Sequence, residues 1–334
     1  MKCANLHSIN DLRYEDIPMP VCAEDEVIIA VKCCGICGSD IPRVYEKGTY
    51  HFPTVIGHEF SGQVVHDPEN ALTGKAVAVF PLLPCFSCES CRQERYATCE
   101  NYDYYGSRRN GGMSEYLAVK RWNLVSVPEN LSYREAAMCE PAAVARHAAS
   151  KLQIKKGDTM LISGAGPIGI LAGQWARLFG AKQVYYFDID QRKLEFCKSF
   201  GFAEYTQGTQ ISCALEGTGH PGALGKCLDV IEPKGRMVLM GNPAGDMPMT
   251  QKTYWHILKK ELTVFGTWNS AYSQTQNDWQ AALTEMASGR LDVKPLITHV
   301  FPLKDVQQAF DMVRNKTEFF NKVMLTMEEK NDTL

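Results

Sequence analysis

Thirteen cysteines in 334 residues are the most conspicuous chemistry in this sequence, and their spacing sorts them. Cys85, Cys88, Cys91 and Cys99 lie in "CFSCESCRQERYATC", a C-x2-C-x2-C-x7-C pattern. Four thiolates so close in one loop suit a closed tetrahedral shell around Zn2+, which leaves no position for substrate and makes the site structural. An iron–sulfur cluster or two disulfides fit the same spacing. Cys33, Cys34 and Cys37 crowd into "VKCCGICGSD". Its C-x2-C pair reads as a redox dithiol, half of a zinc site, or two buried thiols. Cys3, Cys22, Cys139, Cys197, Cys213 and Cys227 are scattered and read mostly as small buried hydrophobes.

A second set of ligand types comes from separate segments: Cys37, His58 and Glu59 in "GHEF", and Glu140 in "CEP". A catalytic zinc takes three protein ligands from converging elements and keeps one position open. Asp40, three residues after Cys37, is a short carboxylate suited to hold the far side of the His58 imidazole. Ser39 offers a hydroxyl that can take a proton from a metal-bound alcohol. By residue type alone, Gly57-His58-Glu59 reads also as a loop with a surface acid.

Gly164-Ala165-Gly166-Pro167-Ile168-Gly169 matches G-x-G-x-x-G, with the apolar "TMLIS" before it and the helical "IGILAGQWARLFG" after. That context predicts a dinucleotide-binding turn: Gly164 for the tight turn, Gly166 for close approach to a pyrophosphate, Gly169 for helix–strand packing. The phosphates would meet the helix N-terminus at Pro167 and Ile168. Asp188, nineteen residues past Gly169, is placed to bind the ribose hydroxyls and repel a 2′-phosphate, which favours NAD. Arg192 could accept a 2′-phosphate or lie over the adenine.

The elements that must position these residues change character along the chain. Residues 1–125 read as short strands and turns, with "EVIIAVKCC" and "KAVAVFPLL" the clearest runs. From about 133, strands alternate with helices, which predicts a doubly wound parallel sheet. "NDWQAALTEMASGRL" and "DVQQAFDMVRN" read as helices, and "KVMLTM" as a last strand. A chain this long exceeds the roughly 250–300 residues of one core, so two domains are expected. A net charge of −3 gives no reason to expect nucleic acid, and no apolar run reaches the ~20 residues of a membrane span. No secretory signal opens the chain, so a reducing, cytoplasmic setting is expected, where clustered cysteines more often bind metal than pair.

In sum of motifs, "CGICGSD", "GHEFSG", the four-cysteine loop, "GGMSEY", "EP" and "GAGPIG" occur in the order typical of zinc-dependent medium-chain dehydrogenases. The chain resembles that family over nearly its whole length, and its sorbitol and polyol branch most. The resemblance implies an α/β two-domain fold: a GroES-like β-rich catalytic domain (1–141 and 277–334) and a Rossmann domain (142–276), with the active site in the cleft. It implies two Zn2+ per chain, NAD, and a homodimer or homotetramer. Cys37 and His58 become zinc ligands; Glu59 and Glu140 occupy the two carboxylate positions, Glu140 expected to bind directly and Glu59 to move. Cys33 and Cys34 are then packed thiols, with Gly35 and Gly38 setting the turn at Cys37.

The sequence departs from the family after "GSD". Many relatives carry a His or Tyr there that passes the proton outward, whereas this chain has Ile41-Pro42-Arg43. Arg43, Lys47, Arg108 and Arg109 are candidate cations for a phosphorylated substrate, each also readable as a solvated surface base. Too little chain separates "FGFAEYTQG" from "ISCALEGTG" for the usual strand–helix unit. The expected reaction is oxidation of a polyol or polyol-phosphate hydroxyl, its proton leaving through Ser39 and its hydride passing to NAD. Alternatives are a free polyol, threonine or another secondary alcohol as substrate, or a non-catalytic NAD or redox sensor.

Overall fold

The computed structural model describes residues 1–327, which divide into two compact units: Met1–Glu140 with the chain from Ala271 on, and Pro141–Ser270. Ala271–Gln276, expected with the nucleotide-binding half, belong to the first unit. The Ala271 N–H donates to Asp278 at 2.7 Å, and the Tyr272 hydroxyl donates to the Leu124 carbonyl at 3.0 Å.

The first unit is built on a sheet whose strands lie in the order Leu124–Ser126, Ala76–Val79, Glu59–His66, Glu26–Gly35, Lys322–Thr326 and Ile297–Pro302, with Tyr116–Lys120 also pairing Glu26–Gly35. The run "EVIIAVKCC" is apolar almost without interruption because eight of the ten residues of Glu26–Gly35 are buried. Val27, Ile29, Val31, Phe60, Val64, Val323, Leu325 and Phe310 form the core against it. The C-terminal strand is therefore an inner member of the N-terminal sheet.

In the second unit six parallel strands lie in the order Ala203–Glu204, Gln183–Phe187, Thr159–Ser163, Ile211–Glu216, Ile231–Leu239 and Thr263–Gly266. In chain order this is 3-2-1-4-5-6, the doubly wound arrangement. Helices Pro167–Leu178 and Gln191–Ser199 link the first three strands; Pro221–Val230 and Gln251–Lys259 link the last three. Residues 205–210 join Ala203–Glu204 to Ile211–Glu216 without a helix. Val184 and Tyr186 face the Pro167–Leu178 helix and are buried, while Tyr185 and Phe187 on the opposite face are only half-covered. Lys226 lies over the rings of Phe187 and Tyr205, at 5.9 and 5.1 Å. Among the described residues no helix is long and apolar enough to cross a membrane.

Candidate functional site

Register brings the first group of predicted residues together. Strand Glu26–Gly35 pairs antiparallel with two neighbours, setting Gly35 opposite Glu59 on one side and opposite Met324 on the other. Just beyond, the Ile36 N–H donates to the Val323 carbonyl at 2.9 Å. Three strand ends thus deliver Cys37, Glu59 and Lys322 to one place. Gly57 turns the chain into His58 at φ +95°, where a Cβ would also overlap Met113 and Cys34. Gly35 matters for space rather than for the turn, since a Cβ there would overlap the Glu59 carboxylate. Cys33 and Cys34 are buried at the end of the strand, as packed thiols.

The ligand atoms of Cys37, His58 and Glu59 all lie within 4.8 Å of one another. Asp40 is fully buried beneath them. Its Oδ2 accepts from the Cys37 N–H at 3.0 Å, and its Oδ1 lies 3.4 Å from His58 Nδ1, leaving Nε2 as the metal-facing nitrogen. Burial would push the Asp40 carboxyl up, but His58 and Arg43 outweigh it and hold the group below its ordinary range. Burial would push His58 down, but Asp40 and Cys37 hold a proton on it; an arriving metal would release that proton.

The two carboxylates are placed differently. Glu59, expected to move, accepts from Lys322 Nζ through both oxygens, at 2.8 and 2.6 Å, and both side chains are almost wholly buried. Glu140, expected to bind directly, sits buried in the first turn of helix Cys139–Lys151, outside the 4.8 Å group. Burial pushes its carboxyl up, to about 7; Glu59 and Asp40 add to this, and His58 and Lys322 oppose it.

Arg43 is not a free cation. Its Nη1 donates to Ser39 Oγ at 2.9 Å and to Asp40 Oδ1 at 3.0 Å, and Ser39 Oγ donates to Cys37 Sγ at 3.3 Å. Arg43 thus orients the serine hydroxyl. Arg109 lies 3.5 Å from Asp103, and Lys47 ends the turn Arg43–Lys47. Arg108 is placed differently. Its guanidinium is stacked on Tyr50 at 4.1 Å and on Tyr102 at 4.6 Å, and Nη2 donates to the Tyr50 hydroxyl at 3.2 Å. Tyr102 packs on Tyr104 (6.2 Å between ring centres), and Tyr104 packs edge-on to His58 (5.7 Å). An aromatic run therefore leads from a candidate metal ligand to an arginine with no carboxylate partner among the described residues.

The four cysteines of the loop also converge, with Cys85 Sγ 3.9 Å from Cys91 Sγ and Cys88 Sγ 3.9 Å from Cys99 Sγ. A tetrahedron with Zn–S bonds of about 2.3 Å has edges of roughly 3.8 Å, so the shell fits one zinc, and no two of the thirteen cysteines form a disulfide. The Ser87 hydroxyl and nearby backbone N–H groups push Cys85 down to about 5, while burial and the neighbouring thiols push Cys91 up to about 12. The donor sets of both centres, four thiols here and thiol, imidazole and carboxylate there, are those zinc takes in structural and catalytic sites respectively.

In the second unit Gly164 adopts φ +105°, and a Cβ on Gly169 would overlap the Gly164 carbonyl. The helix begins at Pro167 with Gly166 as its cap, so Gly166 and Ile168 present free N–H groups there, while Pro167, which has none, starts the helix at no cost in hydrogen bonds. Asp188 Oδ2 accepts from the Ala165 N–H at 2.8 Å and Oδ1 from the Asp190 N–H at 2.9 Å. That pins the carboxylate beside the glycine turn. Arg192 is bound through Nε and Nη2 to Asp190, at 3.0 and 2.8 Å, so its fork is already occupied.

An alcohol dehydrogenase GroES-like domain model matches residues 23–129, and a zinc-binding dehydrogenase model matches 167–288. The galactitol 1-phosphate 5-dehydrogenase of Escherichia coli K12 is 35% identical over 312 residues, 87% of this chain and 90% of that protein. The chain belongs to the zinc-dependent medium-chain dehydrogenases. A sorbitol dehydrogenase of Bombyx mori is 32% identical over 341 residues, covering 93% of this chain and 95% of that protein. The crystal structure of galactitol-1-phosphate dehydrogenase from Escherichia coli superposes with a TM-score of 0.90 at 33% identity, covering 98% of this chain and 100% of that one. The β-rich unit of this dehydrogenase is its GroES-like domain and the parallel-sheet unit its Rossmann domain.

Sequence reasoning missed two residues of the dehydrogenase's site. Lys322 had one signal, a lysine opening the otherwise apolar strand "KVMLTM". Tyr104 had only its place in the aromatic "YDYYG".

Proposed function

We propose that this dehydrogenase oxidises a secondary hydroxyl of a polyol phosphate, of the galactitol 1-phosphate kind, with NAD as hydride acceptor. The observation that carries the substrate reading is Arg108, stacked between Tyr50 and Tyr102 at the end of the aromatic run from His58. A stacked guanidinium keeps its outer N–H groups for bidentate contact with a phosphate. The NAD reading rests on Asp188 beside the glycine turn and on Arg192 being engaged by Asp190.

Cys37 and His58 would hold the catalytic zinc, with Glu59 and Glu140 as the two further carboxylates, and Cys85, Cys88, Cys91 and Cys99 would hold the structural one. When bound, the catalytic zinc supplies Lewis-acid polarisation of the substrate hydroxyl, and NAD accepts the hydride. Asp40 fixes the His58 ring, and Arg43 fixes Ser39. The Ser39 hydroxyl, already beside the Cys37 sulfur, is positioned to take the alcohol proton and pass its own outward. The enzyme is proposed to work in the cytoplasm as a homo-oligomer.

Comparing kcat/KM for a hexitol and its 1-phosphate, in the natural enzyme and in Arg108→Ala, tests this reading. A charge-assisted hydrogen bond contributes about 1.5–3 kcal/mol, so Arg108→Ala should raise KM for the phosphate by roughly 10–100-fold and leave the free hexitol unchanged. Equal efficiency on both substrates by the natural enzyme would overturn the phosphate reading. Oxidation of an unphosphorylated polyol is the second reading, favoured by the carboxylate partners that already occupy Arg43 and Arg109.

A further inference from the structure

A cavity of about 530 Å³ lies beside the four-cysteine loop, and none of the residues lining it has a task in the proposed reaction. Its size is within the roughly 300–1,000 Å³ of small-molecule sites. Phe86, between Cys85 and Cys88, forms an aromatic corner with Trp122, the two rings standing at 90° with 5.1 Å between their centres. Leu83 and Pro84 extend the apolar wall. Phe86 is unusual in two respects: it is 55% exposed, and its backbone is left-handed at φ +55°. Glycine takes that conformation without strain, whereas a bulky residue does so at a cost. Packing alone does not call for a phenylalanine that is strained and leaves half its surface in water.

The rest of the wall is charged, and the charges do not balance. Lys120 Nζ lies 2.7 Å from Asp25 and 3.1 Å from Glu26. Arg121 Nη2 lies 2.5 Å from Asp67 and 3.5 Å from Glu69. Each cation thus faces two carboxylates, and of these four Asp25 and Glu69 line the cavity with largely exposed side chains. Asn123 also lines it and is 1% exposed. Its amide nitrogen donates to the Phe80 and Leu82 carbonyls, at 2.6 and 2.8 Å, and no described residue donates to its amide oxygen.

We infer that this cavity binds an organic cation, an ammonium group carried on an apolar body. Aromatic ring faces are negative and attract such a cation. The excess of carboxylate draws it in, and a primary ammonium can donate to the waiting Asn123 oxygen. A carboxylate or phosphate ligand would instead meet two cations that each already face two carboxylates.

Calorimetric titration of the zinc-loaded, full-length protein with benzyltrimethylammonium, benzamide and benzoate tests this. The cation should bind at one site per chain, roughly tenfold more tightly than the neutral or the anionic probe. Phe86→Leu keeps an apolar side chain but removes the ring, and should weaken the cation about tenfold with zinc content unchanged. Trp122→Leu, outside the cysteine loop, should act in the same direction and serves in its place if Phe86→Leu loses zinc. Asp25→Asn/Glu69→Gln leaves both rings intact and should weaken the cation several-fold, a difference that added salt erases. Benzoate or benzamide binding as tightly as the cation would overturn the inference. So would natural affinity for the cation in Trp122→Leu, in Asp25→Asn/Glu69→Gln, or in a Phe86→Leu protein that keeps its zinc.

Discussion

The loop centre draws every candidate ligand from Cys85–Cys99, whereas the other centre draws on residues 37, 58, 59 and 140. In the loop, a four-residue helix, Glu89–Arg92, and a single turn, Tyr96–Thr98, are enough to gather four thiols. Nothing around them is organised to leave a position open. At the other centre strand ends bring Cys37, Glu59 and Lys322 together, and each of Cys37, His58 and Glu59 has a second partner. Asp40 lies behind His58, Ser39 and Arg43 beside Cys37, and Lys322 against Glu59. In the loop the thiols are supported only by groups of the loop itself, the Ser87 hydroxyl on Cys85 and the Cys85 N–H on Cys99. A centre that turns over substrate needs its ligands held while one position is left free.

Breaking each centre should expose that difference. Cys37→Ser or His58→Ala should abolish turnover while the protein stays folded and binds NADH, checked by fluorescence titration and melting. Cys91→Ser should do the reverse in kind, since loss of a structural zinc removes folding energy. It should cost several kcal/mol, at roughly 2–4 °C of melting temperature per kcal/mol; an unchanged melting temperature with unchanged zinc content would contradict a structural role. Asp40→Asn sharpens the contrast at smaller scale. It should weaken zinc at the catalytic centre by about 10–100-fold without altering the other, read as two chelator-release phases of which one changes. Gly57→Ala should cost about 1–3 kcal/mol, because a left-handed backbone must take a side chain where Met113 and Cys34 leave no room; calorimetry reads the loss.

What the sequence revealed follows the same divide. The four-cysteine loop, the glycine fingerprint and Asp188 are short-range patterns whose spacing is itself the geometry, and the structure draws those residues together. The pairing of Glu59 with Lys322 spans 263 residues and depends on the C-terminal strand entering the N-terminal sheet. No local pattern encodes that. Arg43 was visible as a cation, but its attachment to Asp40 and Ser39 depends on the helical turn that follows Cys37. Conversely, the short segment before "ISCALEGTG" was legible by length alone, and residues 205–210 indeed cross without a helix.

The most direct test of two centres with different tasks is to remove zinc in stages, following bound metal, melting temperature and substrate-dependent NADH formation on the same samples. The account predicts two zinc ions per chain, with mild chelation removing one together with all NADH formation and leaving the melting temperature nearly unchanged. Full NADH formation after loss of that first zinc would contradict it.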